Sequence, residues 1–179
     1  MPRSSLILIS LLMVLALTAC SRSSQNSPGA SSTKSAPSPE GTRITSESVV
    51  KATAQGVEIP VGGAGEAIVK VTVQSGYHIN SNPPSYPYLK ATELVMADTG
   101  GVSVEYVVYP KPLIKKFAFE EKPIQVYEGE TQLKVALRVA RTASKGQRSI
   151  PAKLRIQACD EQVCYPPGSI EVVIPVLIK

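Results

Sequence analysis

Several residue types are scarce in this 179-residue chain, and each scarcity narrows what the protein can be. The chain has no Trp, two Phe, one His and three Cys, and no two cysteines form a Cys-x-x-Cys pair. A structural zinc site takes four Cys or His ligands. Cys159 and Cys164, which share one short stretch, and the single His78 fall short of that number. We therefore expect no metal site, and no motif in the chain implies a cofactor.

The chain also lacks a cluster of basic residues. Its formal net charge is +5, but four of the 19 Lys and Arg residues and one of the 14 Asp and Glu residues precede residue 45. The remainder is close to neutral, with 15 basic and 13 acidic residues. No stretch combines basic residues with interleaved aromatic residues. Because nucleic-acid-binding domains carry patches or stripes of positive charge, we do not expect a nucleic-acid partner.

The chain has one long apolar run, from Leu6 to Leu17, and this run is too short to span a bilayer comfortably. It follows the single positive charge of Arg3 and precedes small residues. A short apolar stretch between a basic start and small residues is typical of a secretory signal peptide. We therefore expect residues 1–19 to be a signal peptide and the protein to be exported.

The end of this signal, Leu17-Thr18-Ala19-Cys20, resembles a bacterial lipobox. In that pattern the cysteine becomes the lipidated N-terminus of the mature protein, so Cys20 would carry a lipid and have no free thiol. The alternative is an ordinary signal peptide with a cysteine at its cleavage site. Ser21 follows the cysteine instead of Asp, which slightly favours the outer membrane.

The segment after the lipobox is dominated by small and polar residues. Across residues 21–46, Ser, Pro, Gly, Thr, Gln and Asn prevail, and Ile44 is the only large apolar residue. Such a composition cannot bury enough surface to offset the entropy lost on ordering. We therefore interpret residues 20–45 as a flexible, lipid-anchored tether and residues 46–179 as the folded domain.

The folded domain shows no helical period of useful length, and its sequence favours strands. Three segments alternate apolar and polar residues with a period of two, which is typical of strands with one buried face. Their apolar faces consist of Ala67, Val69, Val71 and Val73, of Leu133, Val135, Leu137 and Val139, and of Ala152, Leu154, Ile156 and Ala158. With the shorter apolar segments between turn residues, they predict an all-β fold, an antiparallel sandwich of two sheets.

Two segments interrupt this pattern. Residues 75–88 are rich in Pro, Asn and Tyr, and residues 114–123 contain both phenylalanines, Phe117 and Phe119. Because proline cannot donate a hydrogen bond to a β-ladder, we expect residues 75–88 to be a long loop. We interpret residues 114–123 as a second irregular excursion.

The stretch Gln157–Pro167 contains the only two cysteines of the predicted domain. If Ala158 faces the core, the alternation places Cys159 on the solvent side, within reach of a partner protein. Cys164 follows after a four-residue connection, and such a spacing at the tip of a hairpin can bring two α-carbons within bonding distance. Export of the protein would permit a disulfide between them.

A disulfide at this position has two interpretations. It can be a structural staple, as most disulfides of exported domains are. Closing so short a loop stabilises a fold by about 2 kcal/mol on the loop-entropy model, against about 4.7 kcal/mol for a loop of about a hundred residues. A staple would more often join distant strands, so the short spacing mildly favours a pair with a chemical role. The residues alone leave both interpretations open.

The same stretch resembles the cysteine segment of the N-terminal domain of DsbD, the bacterial thiol:disulfide interchange protein. Gln157-Ala158-Cys159 and Cys164-Tyr165-Pro166-Pro167 carry the resemblance, and Ser75-Gly76-Tyr77-His78 is similar to the loop beside the cysteines in that family. Residues 117–127 are similar to the segment that holds the family's cap loop. The resemblance covers most of residues 46–179 and implies an immunoglobulin-like β-sandwich.

The resemblance also implies a function, which is the relay of reducing equivalents in the periplasm. It implies that Cys164 forms the mixed disulfide with a partner and that Cys159 resolves it. It further implies that an aromatic side chain of the cap loop, Phe117 or Phe119, shields the pair, which Tyr165 flanks. The implied partners are thioredoxin-like proteins. Because no membrane bundle or Cys-x-x-Cys domain follows Lys179, we expect a separate protein in the membrane to donate the electrons.

The chain departs from the familiar members of that family at the site itself. Two tyrosines that flank the cysteines in those members correspond here to His78 and Asn80, and one residue fewer separates the cysteines. The pKa range of histidine suits proton transfer next to Cys164, but a structural role in the loop is the alternative for His78. We expect a lipid-anchored thiol:disulfide exchange module, the alternative being a binding or assembly lipoprotein with a structural disulfide.

Overall fold

A computed structural model describes residues 43–179 of the chain. The predicted signal peptide, the predicted lipidation site Cys20 and all but the last three residues of the predicted tether lie outside the described residues. Within residues 43–179, no helix has the length and apolar character that a membrane span requires. The described part begins its regular structure with a 3₁₀ turn, Ser46–Val49.

Strands account for nearly all the regular structure that follows this turn. They are β1 (Val50–Ala54), β2 (Val57–Ile59), β3 (Ala64–Val73), β4 (His78–Asn80), β5 (Glu93–Met96), β6 (Val102–Val108), β7 (Leu113–Lys115), β8 (Ile124–Tyr127), β9 (Glu130–Val139), β10 (Gly146–Ile156), β11 (Ala158–Cys159) and β12 (Gly168–Ile178).

Two four-stranded sheets form the body of the domain. The first has the strand order β1-β3-β9-β6 and is antiparallel throughout. The second has the order β2-β12-β10-β5, in which only the pair β12 and β2 is parallel. Both sheets contribute to one buried apolar cluster. The prediction of an all-β, immunoglobulin-like sandwich is confirmed.

The core consists of the alternating apolar residues. Every one of the twelve apolar residues of the three predicted faces is buried, with at most 3% of its surface exposed. The intervening residues of these strands remain mostly exposed, for example Lys134 and Lys153. Alternation predicts burial well here because successive side chains of a strand point to opposite faces, so one face can be buried while the other stays hydrated.

A third sheet, which the sequence analysis did not predict, lies at the end of the domain that carries the cysteines. Its strand order is β11-β4-β8-β7, and we call it the site sheet. The predictions for residues 75–88 and 114–123 were wrong in part, because the first segment contains β4 and the second contains most of β7. Each of these strands has three residues, too few for an alternation to be visible between prolines and turn residues.

The chain enters the site sheet by a break at Gln157, between β10 of the second sheet and β11. The side chain of Gln157 holds this break in place. Its Oε1 accepts hydrogen bonds from the amide of Lys90 at 3.1 Å and from Asn80 Nδ2 at 3.3 Å. Its Nε2 donates to the carbonyl of Tyr165 at 3.3 Å. One side chain therefore joins both sides of the cysteine stretch to the neighbouring loop.

Candidate functional site

Cys159 and Cys164 form a disulfide across a short hairpin. The two residues lie directly opposite each other, with their α-carbons 3.9 Å apart. Two backbone hydrogen bonds of 2.9 Å flank the pair, one from the amide of Tyr165 to the carbonyl of Ala158 and one from Asp160 to Val163. This is the closely spaced, non-hydrogen-bonded type of antiparallel pair, in which opposite side chains are nearest to each other. The hairpin geometry therefore brings the two sulfurs together.

Asp160 holds the turn of this hairpin. Its Oδ1 accepts hydrogen bonds of 2.8 Å from the amides of Gln162 and Val163, as an Asp at the start of a turn commonly does. Its Oδ2 accepts a 2.6 Å hydrogen bond from the hydroxyl of Tyr165. That bond lowers the pKa of Asp160 and raises the pKa of Tyr165 to about 12. At neutral pH, Asp160 is therefore ionised and Tyr165 is protonated, which keeps the turn closed.

The two sulfur-bearing residues differ in exposure. Cys159 is completely buried, whereas Cys164 is partly exposed and its neighbour Val163 is 52% exposed. The prediction that Cys159 lies on the solvent side was therefore wrong, although its side chain does face away from the main core. Access to the disulfide from solvent is therefore on the side of Cys164.

The register of the site sheet explains the burial of Cys159. Ala158 pairs with Ile79, which in turn pairs with Tyr127, and all three belong to the main core. The next pair along these strands, Cys159 with His78, must point to the opposite face, because the side chains of a strand alternate. That opposite face is also covered by apolar side chains. Alternation therefore predicted the correct face of the strand for Cys159 but not the burial of that face.

A second apolar cluster covers this face, and we call it the cover cluster. It consists of buried Leu89, Phe117, Ile124 and Val126, with partly exposed Tyr86 and Phe119. The ring of Phe117 stacks on the imidazole of His78, with 4.0 Å between the centroids. Phe119 stacks with Phe117 at 5.4 Å and, at the longer distance of 6.4 Å, with His78. Of the two predicted cap residues, Phe117 lies nearer to His78.

His78 is buried between Cys159 and Phe117 and is only 2% exposed. Its Nε2 atom finds no hydrogen-bond partner among residues 43–179. Burial, which disfavours the charged imidazole, is the main cause that lowers the pKa of His78 to about 4. Glu128 and Asp160 oppose that effect, and Lys115 adds to it. At neutral pH, His78 is therefore an uncharged base beside the disulfide.

Asn80 lies two residues further along β4, on the same face as His78, and its contacts are structural. Its Nδ2 donates to the carbonyl of Lys90 at 3.0 Å as well as to Gln157. Its own carbonyl accepts a 2.6 Å hydrogen bond from the hydroxyl of Thr92. Asn80 therefore fastens the loop after β4 to the site sheet and does not reach towards the cysteines.

An open cleft of about 470 Å³ lies next to His78. Tyr77, Lys115, Glu128 and Glu161 are among the residues that line it, and Lys115 forms a 2.6 Å ion pair with Glu128. Among residues 43–179, no group of three or more His, Cys, Asp or Glu side chains is arranged to hold a metal ion.

Ser46 holds the base of the cysteine hairpin, a contact that the sequence analysis did not predict. Its buried hydroxyl donates a 2.7 Å hydrogen bond to the carbonyl of Pro166 and accepts a 3.0 Å hydrogen bond from the amide of Ala158. These two residues lie on opposite strands of the hairpin. The 3₁₀ turn at the start of the domain therefore holds the two strands of the hairpin together, just outside the disulfide.

Removal of this contact gives a first testable prediction. Ser46→Ala is expected to lower the free energy of unfolding by about 1–3 kcal/mol, because the buried amide of Ala158 loses its partner. Urea-induced unfolding would measure the loss. Ser48→Ala is the matched control, since the exposed hydroxyl of Ser48 bonds only to the backbone of Thr45. Equal losses in the two variants would contradict the role assigned to Ser46.

Comparison with known proteins places this arrangement in a family. The sequence profile of the family described as "Thiol:disulfide interchange protein DsbD, N-terminal" matches residues 45–174, well over half of the chain. The chain belongs to this family. Membership of the DsbD N-terminal family indicates thiol:disulfide exchange as the class of function, and it confirms the resemblance inferred from the cysteine stretch. Among curated protein sequences, none matches the chain.

Three of the solved structures to which the chain is similar are the following. The N-terminal periplasmic domain of ScsB from Proteus mirabilis has 19% identity and a TM-score of 0.49, over 70% of this chain and 44% of that one. The reduced DsbD N-terminal domain of Neisseria meningitidis has 20% identity and a TM-score of 0.39, over 60% of this chain and 74% of that one. A cohesin from Pseudobacteroides cellulosolvens aligns at 11% identity with a TM-score of 0.41, over 73% of this chain and 92% of that one.

Proposed function

We propose that the protein is a periplasmic module that relays reducing equivalents between thioredoxin-like partner proteins through Cys159 and Cys164. The observation that carries the proposal is the unequal exposure of the two cysteines in one short hairpin, with Cys159 buried and Cys164 partly exposed. Exchange needs a sulfur that a partner can reach, and the partial exposure of Cys164 supports that role.

The difference in exposure supports a separate role for each cysteine. In the reduced module, the thiolate of Cys164 attacks a sulfur of the partner's disulfide, and the other partner sulfur leaves as a thiolate. The sulfur of Cys159 then attacks Cys164, forms the disulfide of the module and releases the reduced partner. The partner gains two electrons and the module loses two. Cys159 is well placed for the second step because it lies directly opposite Cys164.

The cover cluster supports a gating role for Phe117 in this cycle. Phe117 stacks on His78, the register neighbour of Cys159, and is itself 2% exposed. In this proposal, the cover has to move before a partner can reach the sulfur of Cys159. Phe119 is partly exposed and lies further from His78 than Phe117 does, so we assign it a supporting role.

The same proposal includes the export and anchoring of the protein and the source of its electrons. A signal peptide over residues 1–19, a lipid on Cys20 and a tether over residues 20–45 would hold the domain 46–179 at the periplasmic side of a membrane. Ser21 slightly favours the outer membrane. Electrons would come from a separate donor in the membrane, and thioredoxin-like proteins would pass them on or receive them.

Trapping of the mixed disulfide tests the exchange function. Reduced Cys159→Ser is expected to form a stable one-to-one adduct with an oxidised thioredoxin-like protein, because the sulfur that resolves the adduct is absent. Non-reducing electrophoresis and mass spectrometry would detect the adduct and locate it at Cys164. Cys164→Ser is the matched control and is expected to form almost none. No adduct with Cys159→Ser, or equal amounts with both variants, would refute the proposal.

The second candidate is a binding or assembly lipoprotein whose disulfide is only structural, and the complete burial of Cys159 favours it. The reduction potential separates the two candidates. Structural disulfides of exported proteins have potentials below about −300 mV, whereas labile and catalytic ones are more oxidising. Equilibration of the intact protein with dithiothreitol buffers would measure the potential, and we expect a value above that limit.

A further inference from the structure

His78 has an unusual combination of position and bonding. It is the register partner of Cys159, and both residues are buried on the face that the cover cluster closes. The Nε2 atom of its imidazole has no hydrogen-bond partner among the described residues. Leaving such an atom unpaired is unfavourable, and buried polar atoms of native proteins are nearly always paired. The unpaired nitrogen therefore calls for an explanation.

The oxidation state of the Cys159 sulfur explains the unpaired nitrogen. In the disulfide, Cys159 carries no hydrogen and has nothing to donate. Reduction creates a thiol S–H on the face that His78 shares. Residues directly opposite each other in an antiparallel pair have Cβ atoms about 4.5–5.5 Å apart, within reach of an imidazole and a thiol. The nitrogen that is unpaired in the oxidised protein thus has a potential partner in the reduced protein.

We propose that His78 is the general base that takes the proton of the Cys159 thiol in the resolving step. The inference rests on the proposed function and adds a residue to it. As the Cys159 sulfur attacks Cys164, its proton passes to His78. The bond between Cys159 and Cys164 forms, the bond between Cys164 and the partner's sulfur breaks, and that sulfur leaves with the electron pair. The imidazolium then releases its proton to solvent.

The charged groups around His78 are consistent with this role. Glu128 and Asp160 favour the imidazolium, Lys115 opposes it, and Glu161 lines the same cleft. His78 is among the residues that line this cleft, which offers the proton a path to solvent. Burial is the main cause of the low pKa, so displacing Phe117 lets the pKa rise towards the ordinary value of about 6.5. His78 thus becomes a stronger base when the cover opens.

The reaction of the reduced full chain with 5,5′-dithiobis(2-nitrobenzoate) tests this assignment. Attack by Cys164 releases one thionitrobenzoate in a bimolecular phase, and resolution by Cys159 releases a second in a unimolecular phase. In His78→Phe, which keeps an aromatic ring, the second phase at pH 7 is expected to slow about a hundredfold, a typical contribution of general-base catalysis. The first phase is expected to stay within about twofold, since Cys164 does not depend on that base.

The pH profile distinguishes a base from a structural residue. In the wild type, the rate of the second phase is expected to level off once His78 is deprotonated. In His78→Phe and His78→Gln, it is expected to rise with pH up to the pKa of the thiol itself, about 8.5. Tyr77→Phe is the control, because it alters the neighbouring cleft residue and leaves the imidazole in place.

Each outcome decides one of the two proposals. A missing first phase in the wild type counts against the exchange function and not against His78 specifically. A normal second phase in the His78 variants, or a slow one whose pH profile matches the wild type, overturns the role of His78. If neither variant folds, the wild-type profile decides alone, since a rate that rises without a bend up to the thiol pKa also overturns the role.

Discussion

Phe117→Ala is expected to lower the free energy of unfolding by about 3–5 kcal/mol and to make the disulfide readily reducible. Phe117 is 2% exposed and belongs to the small cover cluster, so its truncation leaves a cavity that only a few side chains can fill. It also removes the ring that stacks on His78. Urea-induced unfolding would measure the stability, and the rate of reduction by dithiothreitol would measure access to Cys159 and Cys164.

Phe119→Ala is the matched control for this prediction. Phe119 belongs to the same cluster but is partly exposed and lies further from His78, at 6.4 Å against 4.0 Å for Phe117. Its truncation is expected to cost less stability and to change the reduction rate only a little. If the two variants accelerate reduction equally, Phe117 is not the residue that shields the pair.

Ile79→Ala is expected to lower the free energy of unfolding by about 2–5 kcal/mol and to impair exchange as well. Ile79 is completely buried and lies between Ala158 and Tyr127 in the register of the site sheet. It is the residue through which β4 packs on the main core. A cavity at this point loosens the sheet that positions Cys159, so both the unfolding midpoint and the yield of trapped partner should fall.

Leu137→Ala separates loss of stability from damage to the site. Leu137 is also completely buried, but it lies on β9 of the first sheet, whose pairing partners are β3 and β6. Its truncation is expected to cost a similar free energy within the same range of about 2–5 kcal/mol. At temperatures where both variants are folded, Leu137→Ala should exchange normally. Equal impairment of exchange would show that global stability, not the position of β4, limits the reaction.

The long strands of this protein were predictable because their pattern is local. In β3, β9 and β10, apolar and polar residues alternate over enough positions to identify the buried face from the sequence. The short strands β2, β4 and β7 have three residues each, and β2 and β4 pair with strands that are distant in sequence. Nothing within three residues distinguishes such a strand from a loop, so the site sheet was not predicted.

The site was predictable to a similar extent. The spacing of Cys159 and Cys164 in one hairpin predicted that they could bond, and the similarity of the stretch to DsbD predicted the family. The roles of Ser46 and Gln157 were not predictable. Ser46 lies 112 residues before the amide of Ala158, with which it bonds. A serine in a polar segment carries no signal of such a long-range contact.

The sequence by itself determined that this chain is an all-β protein with a pair of cysteines that one short hairpin can join. Alternation and spacing carry that information, because both depend on neighbours along the chain. Only the tertiary structure decided which cysteine is accessible. The face that holds Cys159 and His78 is closed by Phe117 and its cluster, and whether a face meets solvent or a second apolar layer depends on segments that are distant in sequence.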